Sequence, residues 1–153
     1  MGRLRFAVEG DGSIEISGGG DRYRDLGAMI RLDIGTNNHV CLDYLCSIAE
    51  VENGTIQFGL HEGEVYETLI ERHRVTVTHE FLDRSEEFEF AEFKEIIETY
   101  WKTIYGLRSA PHIVRERPDL SESDASLLGW EKYWQKRHPY RGRIEGIPAS
   151  GPE

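Results

Sequence analysis

Apolar and polar residues alternate along most of the first eighty positions and then change to a helical spacing, and that change of period divides the chain. Arg3 to Glu9 places Leu4, Phe6 and Val8 on one face, and Ser13 to Ser17 places Ile14 and Ile16 on one face. Gly10-Asp11-Gly12 between them predicts a hairpin turn. Gly18-Gly19-Gly20 follows with neither GxxxxGK[ST] nor GxGxxG leading into a helix, so it predicts a flexible connector rather than a phosphate loop. Ala28 to Ile34 alternates through Ile30, Leu32 and Ile34 up to the turn-like Gly35-Thr36-Asn37-Asn38. From Val40 the even positions Val40, Leu42, Tyr44, Cys46 and Ile48 form an apolar face, although Cys41 and Leu45 occupy the other side, which predicts a central strand partly buried on both faces.

Asn53-Gly54, between alternating segments, predicts a type I′ hairpin turn into Thr55–Leu60, where Ile56, Phe58 and Leu60 share a face. His61-Glu62-Gly63-Glu64 predicts the next turn, then strands over Val65–Glu71 and Arg74–Leu82, the last aligning Val75, Val77, His79 and Phe81. Such short links permit only antiparallel pairing. The period becomes 3.6 within Phe81 to Tyr105: Phe90, Phe93, Ile97, Tyr100 and Ile104 fall on one stripe, widened by Ile96 and Trp101. This predicts a core-facing helix from near Ala91 to Gly106, with Lys94, Glu98 and Lys102 at i,i+4 spacing on its polar face. After a connector containing Pro111 and Pro118, Ser121 or Ser123 is placed to cap a second helix of about 15 residues that stops at Pro139. The expected fold is α+β: an antiparallel meander of six or seven strands packed against one long helix, with a second C-terminal helix, in a single domain over residues 1–140. Residues 141–153 lack periodicity and are rich in Gly and Pro, so they are expected to be mobile or to lie across the surface.

Charge sharpens this picture because it is uneven. Glu50 to Glu98 holds fourteen acidic residues against Arg72, Arg74, Arg84 and Lys94, a local balance of −10 that equals the formal net charge of the whole chain. A nucleic-acid-binding surface requires the opposite sign, an anionic membrane repels this one, and a basic protein is attracted to it. No basic-then-apolar leader and no run of about 18 apolar residues is present, so a cytoplasmic protein is expected. Cys41 and Cys46 have no second pair to complete a zinc site and are expected to be buried free thiols.

Catalytic motifs are absent: there is no HExxH, no GxSxG and no His or Cys at metal-ligand spacing. No metal and no cofactor are expected, and no enzymatic activity. The candidate protein-binding residues are the carboxylates Glu62, Glu64, Glu67, Glu71, Glu86, Glu87, Glu92 and Glu95, joined by Trp130 and Trp134 because large aromatics make interface anchors. The alternative is a small enzyme or ligand-binding domain with a pocket between sheet and helix, using Glu62, Glu64 or His79.

The arrangement over Ser13 to Tyr105, an acidic antiparallel meander followed by the FEFAEFKEIIETYW helix from Phe88 to Trp101, resembles the immunity proteins that bacteria pair with polymorphic or contact-dependent toxins. The resemblance implies a non-enzymatic inhibitor that neutralises a basic toxin or nuclease domain.

Overall fold

The computed structural model describes residues 4–107 and 117–153, and Pro111 of the expected connector lies outside them, as does His112. Strands β1 (Arg5–Val8) and β2 (Ile14–Ser17) form the expected hairpin, in register from Arg5 opposite Ser17 to Val8 opposite Ile14. Beyond the glycine triplet the chain departs from expectation. A 3-10 turn (Gly20–Tyr23), helix α1 (Arg24–Met29), a π-helical turn (Ile30–Ile34) and helix α2 (Asn38–Glu52) occupy the region where two strands were expected. In the first, Leu26, Met29, Ile30 and Ile34 are buried at helical spacing, while Leu32 of the expected strand face is 54% exposed.

Helix α2 was misleading because it is apolar nearly all round. Cys41, Leu42, Tyr44, Leu45, Cys46, Ile48, Ala49 and Val51 are all buried, so the stretch satisfies a period of two as readily as 3.6. Length separates the two readings, since its 15 residues exceed the ordinary span of a strand. The expected turn at its start is a helix cap, with the Asn37 side chain accepting the Val40 N–H at 3.2 Å. Asn53-Gly54 closes the helix rather than a hairpin, with Gly54 at φ 81°.

The main sheet has four strands, not six or seven: β3 (Phe58–Glu62), β4 (Tyr66–Glu71), β5 (Arg74–His79) and β6 (Arg84–Glu89), paired in chain order as an antiparallel meander. β6 gave no strand signal because Phe88 is its only apolar residue. The hairpin β1–β2 is a separate two-stranded sheet. Helix α3 (Phe90–Ile104) buries the expected stripe, including Phe93, Ile97, Tyr100 and Ile104, and Phe6 of β1 meets Tyr100 edge-on at 4.9 Å. Helix α4 (Glu122–Trp134) is capped by Ser121 Oγ, which accepts the Asp124 N–H at 3.2 Å.

Everything is arranged around α2. Toward the sheet, Tyr44 stacks on His61 with ring centroids 4.1 Å apart, and Ser47 Oγ lies 2.8 Å from His61 Nε2. A Cβ on Gly59 of β3 would stand 2.8 Å from the Ser47 Cβ, so this approach of helix to strand requires glycine. Toward α3, Glu52 pairs with Lys94 at 2.7 Å; neither that lysine nor Lys102 forms the expected ion pair with Glu98, which instead accepts the Tyr140 hydroxyl at 2.6 Å. Toward α4, Asp43 accepts the indole N–H of Trp130 at 2.7 Å and of Trp134 at 3.2 Å, and Glu50 pairs with Lys136 at 3.0 Å.

Residues 141–153 pack against α2, α3 and α4. Arg141 forms a two-point bond with Glu131 at 2.6 and 3.0 Å, Arg143 reaches Glu52, Trp101 donates its indole N–H to the Glu145 carbonyl, and Ile147 is fully buried. Replacing Ile147 with Ala should therefore cost about 2–3 kcal/mol in urea denaturation, as removal of buried methyl groups does. An unpacked tail would show no change.

Two histidines are held neutral. His138 donates Nε2–H to the Leu42 carbonyl at 2.8 Å and accepts the Tyr140 N–H on Nδ1 at 3.0 Å, which leaves no place for a second proton. Burial lowers its pKa to about 4, and burial does the same to His61. A histidine whose pKa is depressed by folding contributes its full stability above the unfolded value of about 6.5. That contribution declines as pH falls toward 4, because the unfolded chain takes up the proton first. The carboxylates held low, Asp25, Glu52 and Glu131, lose their contribution only at more acidic pH, and Asp33, raised by burial, acts in the opposite sense there. Between pH 6.5 and 5 the unfolding free energy should fall by up to about 1.4 kcal/mol per pH unit for each histidine. Denaturation at stepped pH, with both rings followed by NMR, measures this.

Candidate functional site

The four-stranded sheet has one covered face and one open face, and strand register decides which residues lie on each. The covered face carries Tyr66, Thr68, Ile70, Val75, Val77 and Phe88, all buried. It is locked to α1 by Asp25, 1% exposed, which accepts Arg84 Nε at 2.8 Å, Arg84 Nη2 at 2.7 Å and the Tyr66 hydroxyl at 2.9 Å. Burial opposes ionisation of Asp25, but these bonds outweigh it and hold the carboxyl below its ordinary range. The lock stabilises the sheet's position and leaves its other side free.

On the open face, Leu60 lies opposite Leu69, Leu69 opposite Thr76, and Thr76 opposite Glu87. Glu62 lies directly opposite Glu67, and Phe58 opposite Glu71. Phe58 is 54% and Leu60 46% exposed, so a small apolar strip is bordered by Glu62, Glu67, Glu71, Glu87 and Glu89. Among the described residues Arg74 is the single basic residue on this face, 3.6 Å from Glu71 and 3.7 Å from Glu87. Among the described residues no cation lies within 4.0 Å of Glu62 or Glu67, and two like charges directly opposed across a strand pair destabilise it.

The expected site residues therefore divide. Glu62, Glu67, Glu71 and Glu87 share the open face, and Glu64 sits at its end in the β3–β4 turn. There the Glu64 N–H donates to Asp33 at 3.2 Å, and a Cβ on Gly63 would collide with the Asp33 carboxyl group. Glu86 points to the covered side of edge strand β6, opposite Val77. Glu92 lies in the first turn of α3, bound at two points by Arg22 at 2.9 and 3.1 Å and by the Tyr23 hydroxyl. Glu95 is exposed on α3.

Trp130 is 1% exposed and is a core residue, not a surface anchor, since its ring serves to hold α4 against α2. Trp134 is half exposed beside Tyr133, but its indole is tied to Asp43, away from the open sheet face. Phe58, Leu60, Leu69 and Glu89 join the site from outside the expected set. Their alternation put Phe58 and Leu60 on one face, but nothing in the sequence marked that face as the open one.

Other chemistry finds less support. His79 uses Nδ1 to accept the N–H groups of Phe81 and Leu82, both at 3.1 Å, and is a turn cap. Two hollows of about 620 and 670 Å³ lie at the C-terminal loop and beside the Arg72-His73 turn, and neither is lined by Glu62, Glu64 or His79. Cys41 and Cys46 are buried free thiols as expected, and burial pushes Cys46 up to about 12 and Cys41 higher. Among the described residues no group of three or more His, Cys, Asp or Glu is placed to hold a metal ion, and no helix is long and apolar enough to cross a membrane.

Replacing Arg84 with Ala should leave the buried Asp25 carboxylate with only the Tyr66 hydroxyl and lower the midpoint of chemical denaturation. Comparison of the chain with family models, with curated proteins and with solved structures returns no match.

Proposed function

We propose that the chain is a non-enzymatic binding protein that neutralises a basic protein partner through the open face of its sheet, as an inhibitor or immunity protein does for a basic toxin or nuclease domain. The observation that carries this reading is the direct opposition of Glu62 and Glu67 with no cation near them among the described residues, beside an exposed apolar strip. On the helices, by contrast, Glu50, Glu52, Glu92 and Glu131 each have a basic partner. Five carboxylates round Phe58 and Leu60 with, among the described residues, one arginine keep charge where it costs stability. A cationic partner relieves that repulsion and covers the apolar strip on binding.

Glu67→Lys separates stability from function. It places a cation opposite Glu62 and should raise stability by about 0.2–1 kcal/mol, while weakening partner binding by roughly tenfold or more. A low-salt pull-down from the source cells should recover a basic protein whose capture fades as salt screens the charges. Glu15→Lys on β2 makes the same change in net charge away from the open face and should bind as wild type. Recovery of no basic protein, or equal loss in both variants, would count against the reading. A toxin-like reading frame beside the gene is the corresponding genetic observation.

A further inference from the structure

The β5–β6 turn carries two adjacent exposed apolar side chains, Phe81 at 74%, more than any other large apolar residue of the sheet, and Leu82 at 50%. Two adjacent apolar residues at a hairpin tip ordinarily cost solubility, and a floppy turn would fold them back onto the sheet. Here the turn is built to hold them out. His79 Nδ1 accepts both of their backbone N–H groups, and the Arg84 N–H closes the turn on the Leu82 carbonyl at 2.8 Å. The His79 ring is itself wedged edge-on against Tyr66 with centroids 5.0 Å apart, and the Tyr66 hydroxyl is bound to Asp25. The tip thus stands on the buried lock between sheet and α1.

Its surroundings are acidic. Glu80 and Asp83 flank the two apolar residues, and the Glu80 N–H bonds the Val65 carbonyl at 2.8 Å, which places the β3–β4 turn with Glu64 alongside. Glu62 lies at the same end of the open face. Pre-ordered backbone lowers the entropic cost of presenting side chains to a partner, and a large apolar group surrounded by charge is the usual form of an interface anchor.

We propose that this tip anchors the complex, seating Phe81 and Leu82 in an apolar hollow of the partner that is bordered by cationic groups. The inference rests on the reading that the partner is a basic protein. A second copy of the chain is the wrong occupant, because its own tip and open face carry the same negative charge.

The test introduces a benzophenone amino acid at position 81 and, in a separate protein, at position 60 on the open face, and irradiates each in an extract of the source cells. The crosslinked protein is identified by mass spectrometry, purified, and its affinity measured for wild type and for the double variant Phe81→Ala, Leu82→Ala. The expected result is one basic protein captured from both positions, with Lys or Arg near the site of attachment at position 81. The double variant should bind about tenfold more weakly or worse, with the melting temperature and the salt dependence of wild type. Capture from position 60 but not 81, or a double variant within about twofold of wild type, overturns the anchor and leaves the open-face reading standing. Crosslinks at position 81 to a second copy of the chain also overturn it. Capture of no basic protein from either position removes both.

Discussion

Helix α2 has almost no side to turn toward water, and the rest of the chain is arranged to enclose it. Its polar residues from Asp43 onward are each met by a different neighbour: Asp43 by two indoles of α4, Ser47 by His61 of β3, Glu50 by Lys136 after α4, and Glu52 by Lys94 of α3 and Arg143 of the C-terminal loop. Burial of an apolar helix sets the layers, and these contacts set its rotation within them. The acids of α2 and α4 also engage cations of the C-terminal third, Lys136, Arg141 and Arg143.

The same enclosure leaves the sheet one-sided. With α1, α2 and α3 on one face, no element of the described chain remains to cover the other, and the carboxylates there receive one arginine. The acidity of the chain thus has two origins. Part of it is internal, matched by cations that position helices. Another part lies on Glu62, Glu67, Glu71, Glu87 and Glu89 and at the tips of the adjoining turns.

What could be read from the sequence followed from how uniquely each pattern named a period. α3 was legible because its apolar stripe and polar face are separate, and β5 because Val75 and Val77 alternate with Arg74, Thr76 and Thr78. α2 was not, since an apolar circumference erases the contrast between 2 and 3.6. Asn53-Gly54 was ambiguous for a related reason: a glycine at positive φ serves a helix end as well as a type I′ turn. Strand β6 was hidden by charge, with glutamates on both of its faces. Of the candidate carboxylates, Glu62, Glu67, Glu71 and Glu87 share the open face, while Trp130 lies in the core: residue type does not distinguish a surface anchor from a core wedge. Only register revealed that Phe58 and Leu60 turn outward.

The two cysteines carry a practical consequence. Cys41 lies at 0% exposure and Cys46 at 6%, and burial keeps both as thiols rather than thiolates. The folded protein should therefore react only slowly with maleimide and iodoacetamide reagents. A single cysteine engineered onto the surface would be its one addressable labelling position, with no need to delete the native pair.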